Sequence, residues 1–133
     1  MLPSKHLIIA IDFDGTIVED AYPNIGKPLI FAFDTIKKLQ LEGHRLILWT
    51  YRNGDKLEEA VAFCKENNIE FYAVNKNYPE ENFDHQISRK INADLFIDDR
   101  NVGGFIGWTA IYKAIFNYDP PMKKRRGFFS FFK

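Results

Sequence analysis

Two aspartates separated by a single residue follow a short apolar run near the start of the chain. In the stretch IDFDGTIVED, residues 11–20, Asp12 and Asp14 are followed directly by Gly15. One carboxylate can attack phosphorus, while the other protonates the leaving oxygen and later deprotonates the hydrolytic water. Gly15 relieves the steric cost of the turn that brings both acids inward. The spacing therefore suits hydrolysis of a phosphate ester through a covalent intermediate.

Further polar side chains lie at or near the ends of other apolar runs of strand length. Thr50 ends the second run, Asp98 and Asp99 end the fourth, and Lys90 lies just upstream of the fourth. In open parallel sheets, ligands bind at the carboxyl ends of the strands. We therefore expect these side chains to converge with Asp12 on one edge of the sheet.

Carboxylates crowded at one point favour a particular cofactor. They repel each other, and hard oxygen ligands favour Mg²⁺ as the cation that keeps them ionised beside an anionic phosphate. The hydroxyl of Thr50, the ammonium of Lys90 and the loop amides of residues 14–16 would donate hydrogen bonds to the phosphoryl oxygens. Gly15 and Thr16 are therefore predicted to bind substrate together with Thr50 and Lys90.

The alternation of strand-like and helix-like segments predicts the fold class. Apolar runs typical of buried strands lie at residues 6–12, 44–50, 69–74 and 93–99. Helical periodicity marks residues 29–43, 53–68 and, more weakly, 83–91, whereas residues 107–116 fit either a strand or a helix. Alternation of this kind requires crossover connections. It predicts an α/β fold with a Rossmann-like, three-layer, doubly wound and mostly parallel sheet.

The length of 133 residues and the 46% hydrophobic content predict one domain, residues 1–118, followed by a tail. The tail, residues 119–133, contains the stretch KKRRGFFSFFK, which holds 5 of the 18 basic residues and no acid. It is expected to be disordered. Its composition also suits contact with an anionic membrane, binding of nucleic acid, or folding back onto the acidic body. Among these, peripheral membrane contact is retained as a candidate, and nucleic acid is not expected as a partner.

Other global features favour a cytoplasmic protein. The N-terminal apolar stretch is too short for an export signal, no window approaches the length of a membrane-spanning helix, and a single cysteine excludes an intrachain disulfide.

Four motifs in order resemble those of the haloacid dehalogenase superfamily of phosphatases. The segment Asp12–Thr16 is similar to the DxDGT signature, and Leu46–Thr50 is similar to the second motif, an apolar strand ending in Thr or Ser. Lys90 suits the third motif, and Leu95–Asp99 suits the fourth, an apolar strand ending in paired acids. Together the motifs span residues 8–99. This order differs from that of receiver domains, in which the phosphorylated aspartate ends the third strand.

The resemblance implies a role for each matching residue. Asp12 would be the nucleophile and a metal ligand, and Asp14 the acid–base residue whose backbone carbonyl also binds the metal. Thr50 and Lys90 would hold the phosphoryl group. In the fourth motif, Asp99 would bind Mg²⁺ directly, and Asp98 directly or through water. An Asp two positions after the nucleophile is typical of the phosphatases, whereas relatives that keep a long-lived aspartyl phosphate have Thr there.

The spacing of the motifs leaves no room for a cap domain. Thr50 lies only 36 positions after Asp14, and Lys90 lies only 16 positions after Val74. The resemblance is therefore to the capless branch, whose open sites often accept macromolecules or borrow a lid from a neighbouring subunit. A homodimer is compatible with such a site. In the flap, residues 19–26, Tyr22 and Asn24 are candidates to face the substrate.

The sequence thus predicts a Mg²⁺-dependent phosphomonoester hydrolase that works through an aspartyl phosphate on a small or macromolecular phosphorylated substrate. Arg52, two residues after Thr50, is a candidate for binding a substrate anion, and a role on the surface is equally compatible with its position. The alternative function is a non-catalytic phosphate-binding or adaptor domain, recruited to a membrane or a partner by the basic, aromatic tail.

Overall fold

The computed structural model describes residues 6–119, which form four strands and three helices in alternating order. The strands are β1 (Ile8–Ile11), β2 (Arg45–Leu48), β3 (Ala73–Val74) and β4 (Leu95–Ile97), and the helices are α1 (Ala32–Leu41), α2 (Gly54–Glu66) and α3 (Trp108–Phe116). The predicted strands are all present, although each is shorter than its apolar run. The predicted tail lies outside the described residues, apart from Asp119. Within residues 6–119, no helix is long and apolar enough to cross a membrane.

The four strands form one parallel sheet in the order β3-β2-β1-β4. In the register of the sheet, Ile11 lies beside Leu48 on one side and Ile97 on the other, so β1, β2 and β4 end at nearly the same level. The chain passes from β1 outward to β2 and β3 and then returns to the opposite side of β1. The order therefore reverses beside β1, and in open α/β sheets ligands bind at such a switch point.

The main core lies on the sheet face that carries all three helices. Buried strand residues such as Ile9 and Leu46 belong to one cluster with Ile36 of α1, Cys64 of α2 and Ile111 of α3. The α1 and α3 helices also contact each other directly. The segment 107–116, which fitted either a strand or a helix, forms α3 because its buried residues recur at helical steps: Trp108, Ile111 and Ile115.

The opposite face of the sheet is covered differently from the prediction. Its buried cluster consists of Ala10, Ile47, Ala73 and Ile91, and it includes no residue of a described helix. The return connection between β3 and β4 covers this face without the weaker helix predicted within residues 83–91, so that prediction is wrong. The helix-bearing layer predicted on this side is therefore not found in residues 6–119.

Side chains within residues 83–91 explain why no helix forms there. The carboxylate of Asp84 accepts a hydrogen bond from the backbone N–H of Gln86 at 2.7 Å, and the hydroxyl of Ser88 accepts one from the N–H of Lys90 at 3.1 Å. Such local bonds offer the backbone an alternative to helical hydrogen bonds. Only Ile91 of the segment is buried, so helix packing provides little compensation.

Candidate functional site

Carboxylates from two distant segments meet at the carboxyl edge of β1 and β4. Asp12 follows β1, and its backbone N–H donates to the carbonyl of Ile97 in β4 at 3.0 Å, which ties the two strand ends together. Asp98 and Asp99 follow β4 directly. One carboxylate oxygen from each of Asp12, Asp98 and Asp99 lies within 4.8 Å of the other two. Such a group of oxygens can hold a hard divalent cation.

The turn after Asp12 brings its backbone against the second acidic loop. Gly15 has a φ of 84°, and a Cβ at this position would lie 2.2 Å from Oδ2 of Asp99. Both the backbone conformation and the space therefore require glycine. The hydroxyl of Thr16 is buried and lies 3.3 Å from Oδ2 of Asp12 and 3.3 Å from Oδ1 of Asp99. Thr16 thus links the two acidic loops through its side chain.

The loop amides are arranged differently from the prediction. The N–H of Gly15 donates to the carbonyl of Val18 at 2.7 Å, and the N–H of Thr16 donates to the carbonyl of Phe13 at 3.2 Å. Those two amides stabilise the turn and are not free to bind a phosphoryl oxygen. Instead, Gly15 leaves the space that Asp99 occupies, and Thr16 contacts the two acidic loops through its side-chain hydroxyl.

Helix α3 fixes the same turn from the core side. The indole N–H of Trp108 donates to the carbonyl of Thr16 at 2.8 Å, and its ring is 2% exposed. A buried indole usually finds a hydrogen-bond partner. The partner here holds the turn on the helix-bearing side. No local sequence pattern indicates this contact, because the two residues are 92 positions apart.

Arg52 forms a buried ion pair with Asp14. Its Nε donates to Oδ2 and its Nη2 to Oδ1 of that carboxylate, both at 2.7 Å. The remaining N–H groups donate to the backbone carbonyls of Pro23, Asn24 and Lys56 at 2.8–3.3 Å. All five guanidinium N–H groups are therefore used within the protein. The surface role considered for Arg52 is wrong, because the residue is 1% exposed, whereas its contact with a substrate anion stays a prediction.

The loop after β2 places Thr50 beside Asp14 and Asp12. The hydroxyl of Thr50 accepts a hydrogen bond from the N–H of Arg52 at 3.2 Å, and its own N–H donates to Oδ1 of Asn75 at 2.8 Å. Asn75 follows β3 directly, and its backbone N–H donates to the carbonyl of Leu48 in β2 at 2.8 Å, which holds it at the same edge of the sheet. The sequence analysis missed it, although its position after the third apolar run is the same signal that identified Thr50.

Lys90 lies apart from the acidic cluster. Its Nζ is 5.4 Å from the centroid of the Phe96 ring, and the side chain of Phe96 projects from the sheet face opposite to that of Ile97. In the part of the chain that the structure describes, the lining of the cavity beside the cluster does not include Lys90. The structure thus brings together three of the four predicted metal ligands, Asp12, Asp98 and Asp99, while metal binding by the backbone carbonyl of Asp14 stays a prediction and Lys90 lies elsewhere.

An open cavity of about 650 Å³ lies over the acidic cluster. It is lined by Asp12, Asp14, Asp20, Tyr22, Trp49, Thr50, Tyr51, Asp98 and Arg100. Tyr22, a flap residue expected to face the substrate, is thus found on the cavity wall. Trp49 packs against the buried cluster on the sheet face without helices and also lines the cavity. Asp20, Tyr51 and Arg100 were missed, because nothing in a sequence distinguishes residues on a cavity wall from those on the surrounding surface.

Crowding shifts the protonation of the site. Burial, followed by the negative charge of Asp98 and the nearby carboxylate of Asp99, raises the pKa of Asp12 from 3.8 to about 7. The hydrogen bonds from Arg52 to Asp14 raise the pKa of the guanidinium, which therefore stays charged. The ionised form of Asp12 is thus unfavourable in the metal-free protein. The carboxylate of Asp14, in contrast, is paired with the positive charge of Arg52.

One solved structure has a closely similar sequence and fold. It is that of a conserved protein encoded by a locus of Bacteroides thetaiotaomicron, with 57% sequence identity over 84% of this chain and 90% of the other, and a TM-score of 0.79. The two proteins belong to the same family. Of the family models compared with the chain, none matches, and none of the curated proteins does.

The likeness to this family member supports the fold more directly than the chemistry. The shared 84% of the chain is large enough to include the parallel sheet and the loops that carry the acids. The relative is a conserved protein, and the chemistry of the site is inferred from the side chains of this chain.

Proposed function

We propose that this protein is a Mg²⁺-dependent phosphomonoester hydrolase of the haloacid dehalogenase type, with Asp12 as the nucleophile. The observation that carries the proposal is the meeting of Asp12, Asp98 and Asp99 within 4.8 Å at the switch point of a parallel sheet. Asp14 lies two residues further on and lines the same cavity as Asp12. A nucleophile, an acid–base group and a cation site are thus combined at one place.

The three clustered carboxylates fit the proposed cation. Asp12, Asp98 and Asp99 offer hard oxygen ligands, and the raised pKa of Asp12 reflects burial and negative charge that a divalent cation would offset. When bound, Mg²⁺ would lower the electrostatic repulsion between Asp12 and an anionic phosphate and polarise a phosphoryl oxygen.

The residues of this chain divide the reaction into two steps. A carboxylate oxygen of Asp12 forms a bond to phosphorus, and the bond from phosphorus to the leaving oxygen breaks, while that oxygen takes a proton from Asp14. A water then attacks phosphorus and gives its proton to Asp14, and the bond between Asp12 and phosphorus breaks to release inorganic phosphate. Asp12 and Asp14 return to their starting states.

Two further side chains are proposed to hold the phosphoryl group. Thr50 already lines the cavity, and its hydroxyl can rotate toward a phosphoryl oxygen while its N–H stays bound to Asn75. Lys90 would have to leave the Phe96 ring to reach the same group. Its long side chain has the freedom to do so, and its role stays a prediction.

The proposal is tested by Mg²⁺-dependent turnover together with trapping of the intermediate. We expect the purified protein to hydrolyse an aryl phosphate with Mg²⁺ and to stop when the cation is chelated. Reduction with borohydride during turnover should convert Asp12 to homoserine, which peptide mass spectrometry detects. Binding of Mg²⁺ and a phosphate analogue without turnover on a broad phosphoester panel would instead favour the non-catalytic alternative.

Binding of Mg²⁺ is also predicted to depend on pH. The pKa of Asp12 is raised in the folded protein, so its protonation stabilises the metal-free fold below about pH 4, and that stabilisation is lost as the pH rises through about 7. Mg²⁺ needs the ionised carboxylate. We therefore expect Mg²⁺ to raise the Tm more at about pH 8 than at about pH 5.5. KCl at matched ionic strength is the control, and equal Mg²⁺ shifts at both pH values would contradict the prediction.

A further inference from the structure

The cavity over the acidic cluster is larger than a phosphoryl group needs. Its volume of about 650 Å³ falls within the range of about 300–1,000 Å³ that is typical of sites for whole small-molecule ligands. Asp12 and Asp98, which belong to the acidic cluster, make up only part of its lining. The rest of the cavity must therefore be available to the leaving group of the substrate. The residues that line this space restrict which leaving groups can bind there.

Three aromatic rings line this remaining space. Trp49 and Tyr51 flank Thr50 in the loop after β2, and Tyr22 comes from the flap. The Tyr22 and Tyr51 rings meet edge to face, with centroids 6.2 Å apart and an interplanar angle of 68°. Tyr51 is 90% exposed, so its ring does not contribute to a folded core. An aromatic ring that exposes its face beside a reactive centre is suited to stacking on a planar ligand.

The aromatic wall, formed by Trp49, Tyr51 and Tyr22, is held in place by the buried Arg52. The guanidinium carbon of Arg52 lies 5.1 Å from the centroid of the Tyr22 ring, and the same side chain binds the flap carbonyls of Pro23 and Asn24. Since Arg52 also follows Tyr51 directly, one fixed residue orients the flap and the loop after β2 relative to each other. A wall that is already ordered loses less entropy when it binds a ligand.

The charges on the walls restrict the ligand further. Besides the aromatic rings, the cavity lining includes the acids Asp20 and Asp98, and Arg100 is the one basic residue among the described residues that line the cavity. A leaving group that carried additional phosphates would be repelled by these acids. An uncharged planar group would meet the rings without this penalty.

From these features, and on the basis of the function proposed above, we propose that the cavity accepts phosphate monoesters whose leaving group carries an uncharged, planar aromatic ring that stacks against Tyr51 and Tyr22. Such a ring is present in aryl or arylmethyl monoesters and in nucleoside monophosphates. Both sources share the chemistry that the cavity recognises, namely one phosphoryl group for the acids and one flat ring for the aromatic wall.

The test compares substrates that differ only in the planarity of the ring. Benzyl phosphate and cyclohexylmethyl phosphate carry the same charge, similar size and leaving alcohols of similar acidity. We expect kcat/KM to be about tenfold higher for benzyl phosphate, as one aromatic stacking contact would produce. Adenosine 5′-monophosphate and ribose 5-phosphate form the second pair. A preference in this pair as well identifies nucleotides as the source, whereas a preference in the first pair alone identifies arylmethyl or aryl esters.

Variants of Tyr51 test whether the preference for benzyl phosphate over cyclohexylmethyl phosphate depends on the aromatic wall. Tyr51→Ala should reduce the ratio between benzyl and cyclohexylmethyl phosphate to about one, and Tyr51→Phe, which keeps the ring, should preserve it. Tyr78→Ala is the matched control, since Tyr78 is 45% exposed and is not among the residues that line the cavity. Hydrolysis of both esters with a ratio near one in the unmodified protein would overturn this inference and leave the proposed function intact. No hydrolysis of either ester, together with turnover of other monoesters in the panel, would also overturn this inference alone, whereas no hydrolysis of any monoester in the panel would overturn both.

Discussion

Replacement of Asp12 by Asn is expected to lower kcat/KM for phosphate monoesters by at least about a thousandfold, because the amide cannot attack phosphorus. The substitution keeps the size of the side chain and an oxygen that can accept the hydrogen bond from Thr16, which lies 3.3 Å from Oδ2. A loss of activity would therefore reflect the missing carboxylate. The measurement is the Mg²⁺-dependent hydrolysis of the preferred ester under steady-state conditions.

The same variant is expected to be more stable than the unmodified protein when no metal is present. Burial and the neighbouring Asp98 raise the pKa of Asp12 to about 7, so at about pH 8 the folded protein must hold this carboxylate as an unfavourable anion. Asparagine removes that charge. Thermal unfolding in chelator at about pH 8 should give a higher Tm for Asp12→Asn, and the gain should disappear below about pH 4, where Asp12 is protonated in both states.

Asp98→Asn is the matched control for this pair of effects. It also removes one negative charge from the cluster and should raise the stability of the metal-free protein, but it keeps the nucleophile. Its activity should be recovered at least partly at high Mg²⁺ concentration, whereas that of Asp12→Asn should not. Activity of Asp12→Asn within about tenfold of the unmodified protein would exclude Asp12 as the nucleophile.

The acidic cluster could be predicted because its signals are local. Asp12 and the pair Asp98-Asp99 each follow an apolar run directly, and the direction of parallel strands places such residues at one edge of the sheet. The fold class followed from the same alternation of segments. Both predictions needed only short windows of sequence and a general rule about parallel sheets.

The segment between β3 and β4 shows where this kind of reasoning fails. Residues 83–91 have weak helical periodicity, but the side chains of Asp84 and Ser88 bond to the nearby backbone and favour turns. The prediction for Lys90 is affected by the same segment, since the lysine ends on the Phe96 ring instead of beside the acids. Helical periodicity alone does not show that, in this segment, local side-chain hydrogen bonds outweigh the weak packing of a helix.

Contacts between residues far apart in the chain could not be predicted from the sequence either. Arg52 was identified by its closeness to Thr50, yet its partner Asp14 is 38 residues away, and Trp108 binds the turn from 92 residues away. A lone arginine is usually a surface residue, and only the three-dimensional placement of an acid and three carbonyls beside it makes burial favourable. The most buried charge of the site was therefore the least predictable one.

Arg52→Met is expected to lower the free energy of unfolding by about 3–5 kcal/mol, the usual cost of removing one partner of a buried ion pair. The Arg52 side chain is 0% exposed and that of Asp14 is 15% exposed, so water can replace the lost bonds only in part. Methionine fills much of the same volume, which limits any additional cost from a cavity. Urea unfolding of the metal-free protein at neutral pH measures the difference.

Lys56→Met is the matched control for this substitution. Lys56 pairs with Glu59 at 3.5 Å, but the two side chains are 41% and 51% exposed, so their loss should cost at most about 0.5 kcal/mol. The backbone carbonyl of Lys56, which accepts a hydrogen bond from Arg52, is retained in this variant. Similar effects of the two substitutions would show that the ion pair of Arg52 and Asp14 contributes no more than one on the surface.

The activity of an Arg52 variant depends on what the ion pair does during the reaction. In the structure both oxygens of Asp14 accept hydrogen bonds from Arg52, so Asp14 must give up one of these bonds before it can carry a proton to the leaving group. The bonds from Arg52 to Pro23 and Asn24 connect that release to the flap. Arg52→Lys keeps the charge but cannot form the two-pronged contact. It should lower kcat by about tenfold or more even at temperatures where the variant is fully folded, because proton transfer typically contributes at least that much. Unchanged kcat in the folded variant would restrict Arg52 to stability alone.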